Sequence, residues 1–394
     1  MPRFVKPVVI AAISAALCVL PGCGIGTGNL LSGPTTCSGC SPSTNFIYTA
    51  NAAGSPSTVS ALASNATTGA LTAIASPYST GTQSLALAAD PSHRFLYVAN
   101  AQSSDISAFR INAASGSLSV VPGSPFPAEF GMYSLVVDPL SGQFLYAVSG
   151  SSEKLWVYTI NTSTGALSPL PGTPMPIAPS GTVSSSVVID PSGKYLYVTN
   201  ESSGPGGASI YGFSRDATTG ALMPLVGFPI AVDGLANRSV FDRTGKFLLT
   251  TGTGVFGLNG GVDVFTLNTS NGALGATGPP VQVGDDPAGI VVDASGNYVY
   301  VPNTADVTIS AFTFNQATGG LTAISGSPFP SGGNGSINGP LGIAPDSTGH
   351  VYVCNASNDI SVFSINPGNG ALMPITGSPF PDGGNAPSAI VFVP

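Results

Sequence analysis

The sequence predicts an all-β chain that forms a seven-bladed β-propeller closed by pairing of its N-terminal and C-terminal strands. Glycine and proline number 51 and 35 among 394 residues, which favours turns over long helices. A segment typified by DPSGKYLYVTN recurs about every 50 residues, and its seven copies end at 51, 100, 149, 200, 252, 303 and 355. A hairpin motif typified by NATTGAL recurs in step with it. This period is typical of propeller blades.

Each copy divides into four short strands. In the copy that begins near residue 186, VVI is an apolar strand, and the following DPSG has the residue order of a type I turn. KYLYVTN and SIYGFSR are β-branched and aromatic strands, and DATTGAL is a glycine-containing hairpin before the fourth strand. The first strands are continuous apolar runs, as expected where neighbouring blades cover both faces of a sheet.

The two ends of the repeat region predict how the ring closes. FIYTAN at 46–51 is a second strand without a first, and SAIVFVP at 388–394 is a first strand without a second. Together they complete one blade and remove an exposed sheet edge. We therefore expect one propeller domain over residues 46–394.

The N-terminal residues predict export and a lipid anchor. Arg3 and Lys6 precede an apolar run at 8–20 that is too short for a stable membrane span. LPGC at 20–23 resembles the bacterial lipobox, which predicts a signal peptide at 1–22 and lipidation of Cys23. The alternative is an ordinary signal peptide that contains a cysteine. The expected location is the bacterial cell envelope, facing the periplasm or the cell surface, with membrane contact through the lipid alone.

The remaining cysteines are predicted to have structural roles rather than catalytic, redox or metal-binding roles. Residues 23–45 form a flexible linker rich in Gly, Ser and Thr, in which Cys37 and Cys40 make a CxxC motif. No second CxxC accompanies it, so a small disulfide is favoured over a metal or redox site. Cys354 lies in a predicted buried strand and is expected to be a core residue.

The charge balance excludes one class of partner. The chain carries 10 basic and 18 acidic residues, a net charge of −8, with a pI near 4.4. A nucleic-acid-binding protein needs a basic surface, so no nucleic acid is expected. The expected partner is a small molecule or an envelope protein of unknown identity.

The pattern D-P-x-G-(K/R)-(F/Y)-(L/V)-Y-V-x-N with T-G-x-L hairpins resembles the lactonase-type seven-bladed propellers, which include 6-phosphogluconolactonase. LYVTN at 196–200 also resembles the YVTN repeats of exported surface proteins. The resemblance implies the propeller fold and the hydrolysis of a lactone. In this family a histidine-bearing Pro-His-x-His-Ser segment usually enters one inner strand. Here Arg238-Ser239 stands at that place, and the two histidines, His93 and His350, are predicted to be solvated turn residues.

Seven equivalent positions of the first strands are predicted to line the central channel. Six of them are small and the seventh is Arg238; in chain order they are Ala86, Ser134, Ser186, Arg238, Gly289, Gly342 and Ala389. A lone arginine there can bind a carboxylate or phosphate, or it can form a structural ion pair with Asp233 or a neighbour. The predicted ligand-binding residues are therefore Arg238, Asn237, Tyr133 and Asp233. Catalysis would need a base, and the candidate catalytic residues are Arg238, Glu201 and Glu129.

No cofactor motif is present, so no cofactor is expected. Asp285 and Asp286 are weak metal candidates, with a polar loop as the favoured alternative. The near-absence of histidine favours a binding propeller of the envelope over the alternative, a lactone hydrolase with a rearranged active site.

Overall fold

The computed structural model describes residues 44–74, 77–177, 183–201, 207–256, 259–333 and 339–394. Residues 42–394 form one compact unit. The signal peptide, Cys23 and the linker cysteines Cys37 and Cys40 lie outside the described residues. Within the described ranges the chain forms only strands and turns, and none of it is a helix with the length and apolarity of a membrane span.

Seven antiparallel sheets are present, which confirms the predicted seven-bladed propeller. In six sheets the four main strands follow one another in sequence order, whereas in blade 1 the C-terminal strand takes the first place; in every sheet a short fifth strand pairs with the third. The fifth strand was not predicted. In most blades it is only two residues long, too short for a recognisable alternation of polar and apolar residues.

The strands of blades 1 to 4 are as follows. Blade 1 contains β1 (Thr44–Asn51), β2 (Thr58–Asn65), β3 (Leu71–Ala73), β4 (Tyr78–Ser79) and the C-terminal strand β35 (Pro387–Val393). Blade 2 contains β5 (Ser84–Ala89), β6 (Phe95–Asn100), β7 (Asp105–Ile111), β8 (Leu118–Val120) and β9 (Phe126–Pro127). Blade 3 contains β10 (Met132–Val137), β11 (Phe144–Ser149), β12 (Lys154–Ile160), β13 (Leu167–Pro169) and β14 (Met175–Pro176). Blade 4 contains β15 (Val183–Ile189), β16 (Tyr195–Glu201), β17 (Ser209–Arg215), β18 (Leu222–Pro224) and β19 (Ile230–Ala231).

The strands of blades 5 to 7 continue the ring. Blade 5 contains β20 (Leu235–Phe241), β21 (Phe247–Phe256), β22 (Asn259–Leu267), β23 (Leu274–Ala276) and β24 (Val281–Asp285). Blade 6 contains β25 (Val291–Val292), β26 (Tyr298–Asn303), β27 (Thr308–Phe314), β28 (Leu321–Ala323) and β29 (Phe329–Pro330). Blade 7 contains β30 (Pro340–Pro345), β31 (His350–Asn355), β32 (Asp359–Ile365), β33 (Leu372–Pro374) and β34 (Phe380–Pro381).

The chain ends close the ring as predicted. Strand β35 pairs antiparallel with β1, from Phe46 opposite Val393 to Asn51 opposite Pro387. The C-terminal strand is therefore the innermost strand of blade 1, and the rest of that blade comes from the first residues of the propeller.

The repeated tyrosine and the repeated glycine hairpin meet between neighbouring blades. Tyr48 donates a hydrogen bond from its hydroxyl to the Gly116 carbonyl of the next blade at 2.7 Å. Four further tyrosines make the same contact, namely Tyr97, Tyr146, Tyr197 and Tyr300 with Gly165, Gly220, Gly272 and Gly370. The two recurring sequence motifs therefore form one recurring inter-blade contact.

The recurring aspartates are turn residues. The Asp190 carboxylate accepts hydrogen bonds from the backbone N–H groups of Ser192 and Tyr195, at 2.9 and 2.6 Å. All the equivalent aspartates are buried, namely Asp90, Asp138, Asp190, Asp242, Asp293 and Asp346. They fix the turn between the first two strands of each blade, so they are structural, as the repeat predicts.

His350 is buried, and its prediction as a solvated turn residue is wrong. The turn before it is short, so His350 is the first residue of β31 and occupies the place that an aromatic residue holds in most other blades. Its Nδ1 lies 2.9 Å from the Asp346 carboxylate, and its ring packs against Gly69 of blade 1. His93 does lie in a turn, where it is half-buried with a φ of 56°.

Candidate functional site

The channel-lining positions form a ring at one level of the propeller. In six blades the pairing of the first and second strands shifts register at this level, as in a β-bulge. The side chains at the ring border a cavity of about 190 Å³. Six of the seven predicted positions line it, namely Ala86, Ser134, Arg238, Gly289, Gly342 and Ala389. Arg238 is the one charged residue among the described residues of this lining.

Arg238 lies in the bulge of β20. Its backbone N–H donates to Thr251 Oγ1 at 3.1 Å, and its Nη1 donates to the Ser185 carbonyl of the neighbouring blade. The predicted structural alternative, an ion pair with Asp233, does not occur among the described contacts. Burial lowers the pKa of the Arg238 guanidinium, and the nearby Glu201 carboxylate opposes that effect. A half-buried cation of this kind is stabilised by an anion that reaches it.

Two carboxylates belong to the surroundings of Arg238: Glu201 interacts with Arg238 itself, and Asp286 interacts with Glu201. Burial raises the pKa of Glu201, the Arg238 charge acts in the opposite direction, and Asp286 adds a smaller increase. Burial and then the neighbouring Asp285 raise the pKa of Asp286. Neither carboxylate forms a direct ion pair with Arg238 within the described part of the chain. The site therefore contains one cation and two carboxylates with raised pKa values, which is a pattern found at functional sites.

Asn237 supports the bulge rather than facing the cavity. Its side-chain Nδ2 donates to the Pro287 carbonyl at 2.9 Å, and its own carbonyl accepts a bond from Thr199 at 3.4 Å. These contacts tie blade 5 to blades 4 and 6 beside Arg238. The structure therefore places Asn237 as a positioning residue.

Glu129 is already engaged by other side chains. Its carboxylate accepts hydrogen bonds from Lys154 Nζ at 2.9 Å and from Trp156 Nε1 at 3.0 Å. Burial acts to raise the pKa of Glu129, but the hydrogen bonds from Lys154, Trp156 and Ser152 together outweigh it, so the pKa lies below its usual value. A carboxylate held in this way is a poor general base, so Glu201 is the better of the two predicted bases.

Tyr133 lines the same cavity as Arg238. It is half-buried, and its ring packs so closely on Gly150 that a side chain at that glycine would overlap it. Val183 approaches Gly150 from the neighbouring blade and is 40% exposed. The cavity thus has an aromatic and aliphatic border near Tyr133.

Asp285 is the last residue of β24, and Asp286 begins the loop between blades 5 and 6. The backbone N–H of Asp285 donates to the Asp306 carboxylate at 2.8 Å, and Asp286 has a φ of 52°. Within the described ranges no group of three or more His, Cys, Asp or Glu side chains could hold a metal ion. The structure therefore supplies no further ligand for the metal hypothesis.

Asp263 is a buried carboxyl that the sequence analysis missed. Burial and then the neighbouring Asp233 raise its pKa to about 6, while a hydrogen bond with the Asp233 backbone lowers it. Four blades carry serine at this position, and in each an asparagine amide donates to that serine at 2.9 Å. Blade 5 has Gly252 in place of the asparagine. These two departures from the repeat, Asp263 in place of serine and Gly252 in place of asparagine, are the sequence signal that could have identified this carboxyl.

We expect Asp263→Ser to stabilise the propeller at pH 8 by about 1–3 kcal/mol. The folded-state pKa of Asp263 lies at about 6, above its usual value of 3.8, so the folded state binds more protons between these two pH values. Stability contributed by the protonated carboxyl is present below pH 4 and is lost as the pH rises through 6. Thermal melts at pH 4 and pH 8 measure the difference. If Asp263→Ser is no more stable than the wild type at pH 8, the assignment of a raised pKa to Asp263 is contradicted. Asp285→Asn is the matched control.

A model of the family described as Lactonase, 7-bladed beta-propeller matches residues 36–125, 135–234 and 258–386. A sequence search of curated proteins finds no match.

Several solved structures share the fold at low sequence identity. A putative 6-phosphogluconolactonase from Bacteroides uniformis ATCC 8492 is 18% identical over 89% of this chain and 100% of that chain, with a TM-score of 0.72. A putative 6-phosphogluconolactonase from Bacteroides fragilis NCTC 9343 is 18% identical over 92% and 100%, with a TM-score of 0.69. The periplasmic gluconolactonase PpgL of Pseudomonas aeruginosa is 18% identical over 89% and 99%, with a TM-score of 0.67. Because the family model covers most of the sequence, this chain belongs to the Lactonase, 7-bladed beta-propeller family.

Proposed function

We propose that the protein hydrolyses a lactone at the channel site formed by Arg238, Glu201 and Asp286. The observation that carries this proposal is the half-buried Arg238 side chain, which lines a cavity of about 190 Å³ and interacts electrostatically with the Glu201 carboxylate. The names of the structural neighbours, two putative 6-phosphogluconolactonases and a gluconolactonase, support the same reaction class.

The proposed chemistry gives each group a role. Glu201, as carboxylate, takes a proton from a water molecule whose oxygen attacks the lactone carbonyl carbon. Arg238 stabilises the negative charge that develops on the carbonyl oxygen. The ring C–O bond then breaks, and the ring oxygen receives the proton from Glu201, so that a hydroxy acid is released. Burial, with a smaller contribution from Asp286, keeps the pKa of Glu201 raised, which makes the carboxyl an effective proton donor in this last step.

A second candidate function is binding of a small carboxylate without turnover. This second candidate is favoured by the surroundings of Glu201. In the described parts of the chain, no residue donates a hydrogen bond that would orient the Glu201 carboxylate. Both histidines lie at the turn end of the blades, away from Arg238. In this alternative Arg238 binds the carboxylate and the propeller presents it within the envelope.

We expect Arg238→Ala to lower kcat/KM for lactone hydrolysis about 10²–10³-fold, because it removes the charge opposite the oxyanion. Glu201→Gln is expected to lower kcat by about 10²-fold or more and to abolish a rise in rate with pH. Initial rates across five- and six-membered lactones, from pH 5 to pH 9, measure both effects. Lys194→Ala, an exposed lysine in a turn, is the matched control. Wild-type rates equal to the buffer blank reject hydrolysis, and retained carboxylate binding then favours the second candidate.

The substrate of this site is proposed to lack a phosphate group. Glu201 interacts with Arg238, and Asp286 interacts with Glu201, so the local field around the single cation opposes a dianion. Two of the structural neighbours are named for a phosphorylated lactone, and 6-phosphogluconolactone is accordingly expected to be a poor substrate here.

The proposed location is the bacterial envelope, where a lipid on Cys23 would hold the chain to a membrane. The basis is the LPGC motif at 20–23 after a basic and apolar leader. We expect Cys23→Ser to move the protein from the membrane fraction to the soluble fraction. Intact mass measures acyl chains on Cys23. An unmodified cysteine or cleavage at another residue contradicts the anchor, and Cys354→Ser is the control for loss of a thiol.

A further inference from the structure

The third strand of blade 2 contains an arginine that departs from the repeat. In every blade one residue of the third strand lies opposite the second-strand residue equivalent to Phe95. Blade 2 has Arg110 at this position. The other six blades have small residues, namely Ala63, Thr159, Ser214, Thr266, Thr313 and Ser364.

Arg110 brings a second guanidinium to a place where Arg94 already supplies one. The Cζ atoms of Arg94 and Arg110 lie 5.4 and 4.8 Å from the centre of the Phe95 ring. Their Nη2 atoms donate to consecutive carbonyls of a blade 3 hairpin, those of Thr162 and Ser163, at 2.6 and 2.7 Å. The two cations are therefore neighbours, and one ring and one hairpin hold them in place.

No carboxylate neutralises this pair. Within the described residues neither arginine forms an ion pair, and both side chains are exposed. The buried Asp90 carboxylate instead accepts the backbone N–H groups of Arg94 and Phe95, both at 2.7 Å. The Nη1 groups of both guanidiniums make no hydrogen bond in the described part of the chain. Two neighbouring cations repel each other, and an anion that bridges them removes this repulsion.

The surface beside the pair has room for an anion that belongs to a larger molecule. A cavity of about 390 Å³ adjoins Arg94, and its polar border includes Ser92, Gln143 and Thr162. A planar guanidinium can donate two parallel N–H bonds to the oxygens of one phosphate. The arginine pair thus presents two such forks next to a polar cavity.

We propose that Arg94 and Arg110 form a binding site for a phosphate group on the surface of blade 2. The site lies at the turn end of the propeller, where Arg94 directly precedes β6 and Arg110 nearly ends β7. Arg238 lies elsewhere, in the bulge of β20. The phosphate site therefore does not depend on the proposed hydrolysis.

The position of the site favours a membrane phospholipid as the source of the phosphate. Strand β1 begins at Thr44, and its Phe46 packs on Gly116 in the hairpin that follows Arg110. The proposed lipid on Cys23 precedes Thr44 in the sequence. A chain held by that lipid enters the propeller in the blade beside the arginine pair, and a headgroup contact here would add to the lipid anchor.

The test measures the phosphate group in free and in membrane-bound form. Calorimetry with the full chain measures the Kd of inorganic phosphate and of glycerol phosphate. Cosedimentation measures binding to vesicles of phosphatidylglycerol, with neutral phosphatidylcholine vesicles as the lipid control. The vesicle experiments compare proteins that all carry Cys23→Ser, so that an acyl chain does not hold them to the vesicles.

Arg110→Thr gives blade 2 the residue that three other blades have at this position. It is expected to raise the Kd of phosphate about fivefold, because an exposed ion pair contributes up to about 1 kcal/mol. The fraction bound to phosphatidylglycerol vesicles is expected to fall as well, and thermal melts show whether the propeller remains intact.

Blade 5 offers both a matched control and the converse experiment. Lys246 Nζ lies 4.7 Å from the Phe247 ring and donates to the Ala317 carbonyl, and Thr266 lies opposite Phe247. Blade 5 therefore has the first cation without the second. Lys246→Ala is expected to leave the Kd of phosphate unchanged. Lys246→Arg combined with Thr266→Arg recreates the pair and is expected to add a second phosphate site per chain.

Each outcome decides one part of the proposal. An Arg110→Thr variant with a lower melting temperature and an unchanged Kd overturns the site, because Arg110 is then only an inter-blade contact. Absence of both phosphate binding and vesicle binding also overturns it. Binding of phosphate and glycerol phosphate without vesicle binding supports the site and assigns it to a soluble phosphate compound. Vesicle binding that persists in Arg110→Thr, or that is equal on both lipids, overturns the phospholipid source.

Discussion

The chain that lacks residues 389–394 is expected not to fold. Strand β35 is the innermost strand of blade 1, and it contributes Val393, which is 1% exposed, and Phe392, which stacks on Tyr352 of blade 7. Val393 is buried and Ile390, Val391 and Phe392 are half-buried, so their burial contributes on the order of 4–8 kcal/mol. This is comparable to the whole stability of a typical domain, about 5–15 kcal/mol. The deletion also leaves the edge of β1 open to other chains.

Circular dichroism and sedimentation of the purified variant measure this loss. Deletion of Pro394 alone is the matched control, because this residue is exposed and lies outside the paired register. Phe392→Ala provides a milder change, expected to cost about 3–5 kcal/mol. A shortened chain that melts at the wild-type temperature would contradict closure through β35.

The repeat made the fold predictable from the sequence, and it also explains what was missed. Seven copies of one pattern fix the strand order, and the half-copies at 46–51 and 388–394 indicate the pairing of the ends. The two-residue fifth strands were missed because pairing with the third strand, rather than their own composition, defines them. His350 was misjudged for a related reason. One residue fewer in its turn moves it from the turn into the buried first position of β31.

The candidate site was predictable only where a residue departs from the repeat. Arg238 was found because six equivalent positions are small, and the cavity at this level contains it. The engagement of Glu129 by Lys154 and Trp156 depends on side-chain geometry that no repeat pattern contains. Asp263 had a sequence signal, since serine occupies its place in four other blades, but its raised pKa follows from burial. Departures from a repeat therefore indicate which residues to examine, and the contacts decide their roles.

Arg215 also departs from the repeat, and it joins two blades at the turn end of the propeller. Arg215, the last residue of β17, forms a buried ion pair with Asp138, with nitrogen–oxygen distances of 3.1 Å and side-chain exposures of 1% and 0%. Its Nε also donates to the Gly193 carbonyl at 2.6 Å. The equivalent residues in the other blades are Ile111, Ile160, Leu267, Phe314, Ile365 and Ser64.

The length of one turn explains why Arg215 is needed. In blade 4, Asp190 accepts the N–H of Tyr195, five residues on, and the other turn aspartates accept an N–H four or five residues on. The turn after Asp138 contains one more residue, so the first residue of the next strand is Phe144, six residues on. Asp138 accepts from the Leu140 N–H and from Arg215 instead. Arg215 therefore replaces a backbone hydrogen bond that the longer turn does not provide.

Arg215→Met is accordingly expected to destabilise the propeller by about 3–5 kcal/mol, because it leaves the Asp138 carboxylate buried without its cation. Deletion of Leu140, which is 63% exposed, converts the turn to the spacing found after Asp190 and lets the Phe144 N–H reach the carboxylate. The double variant is therefore expected to recover most of the lost stability, as measured by chemical denaturation at pH 7. Deletion of Leu140 in the wild-type background controls for the shorter turn itself. If the double variant is as unstable as Arg215→Met, the ion pair does not compensate for turn length, and Arg215 stabilises the interface through its packing alone.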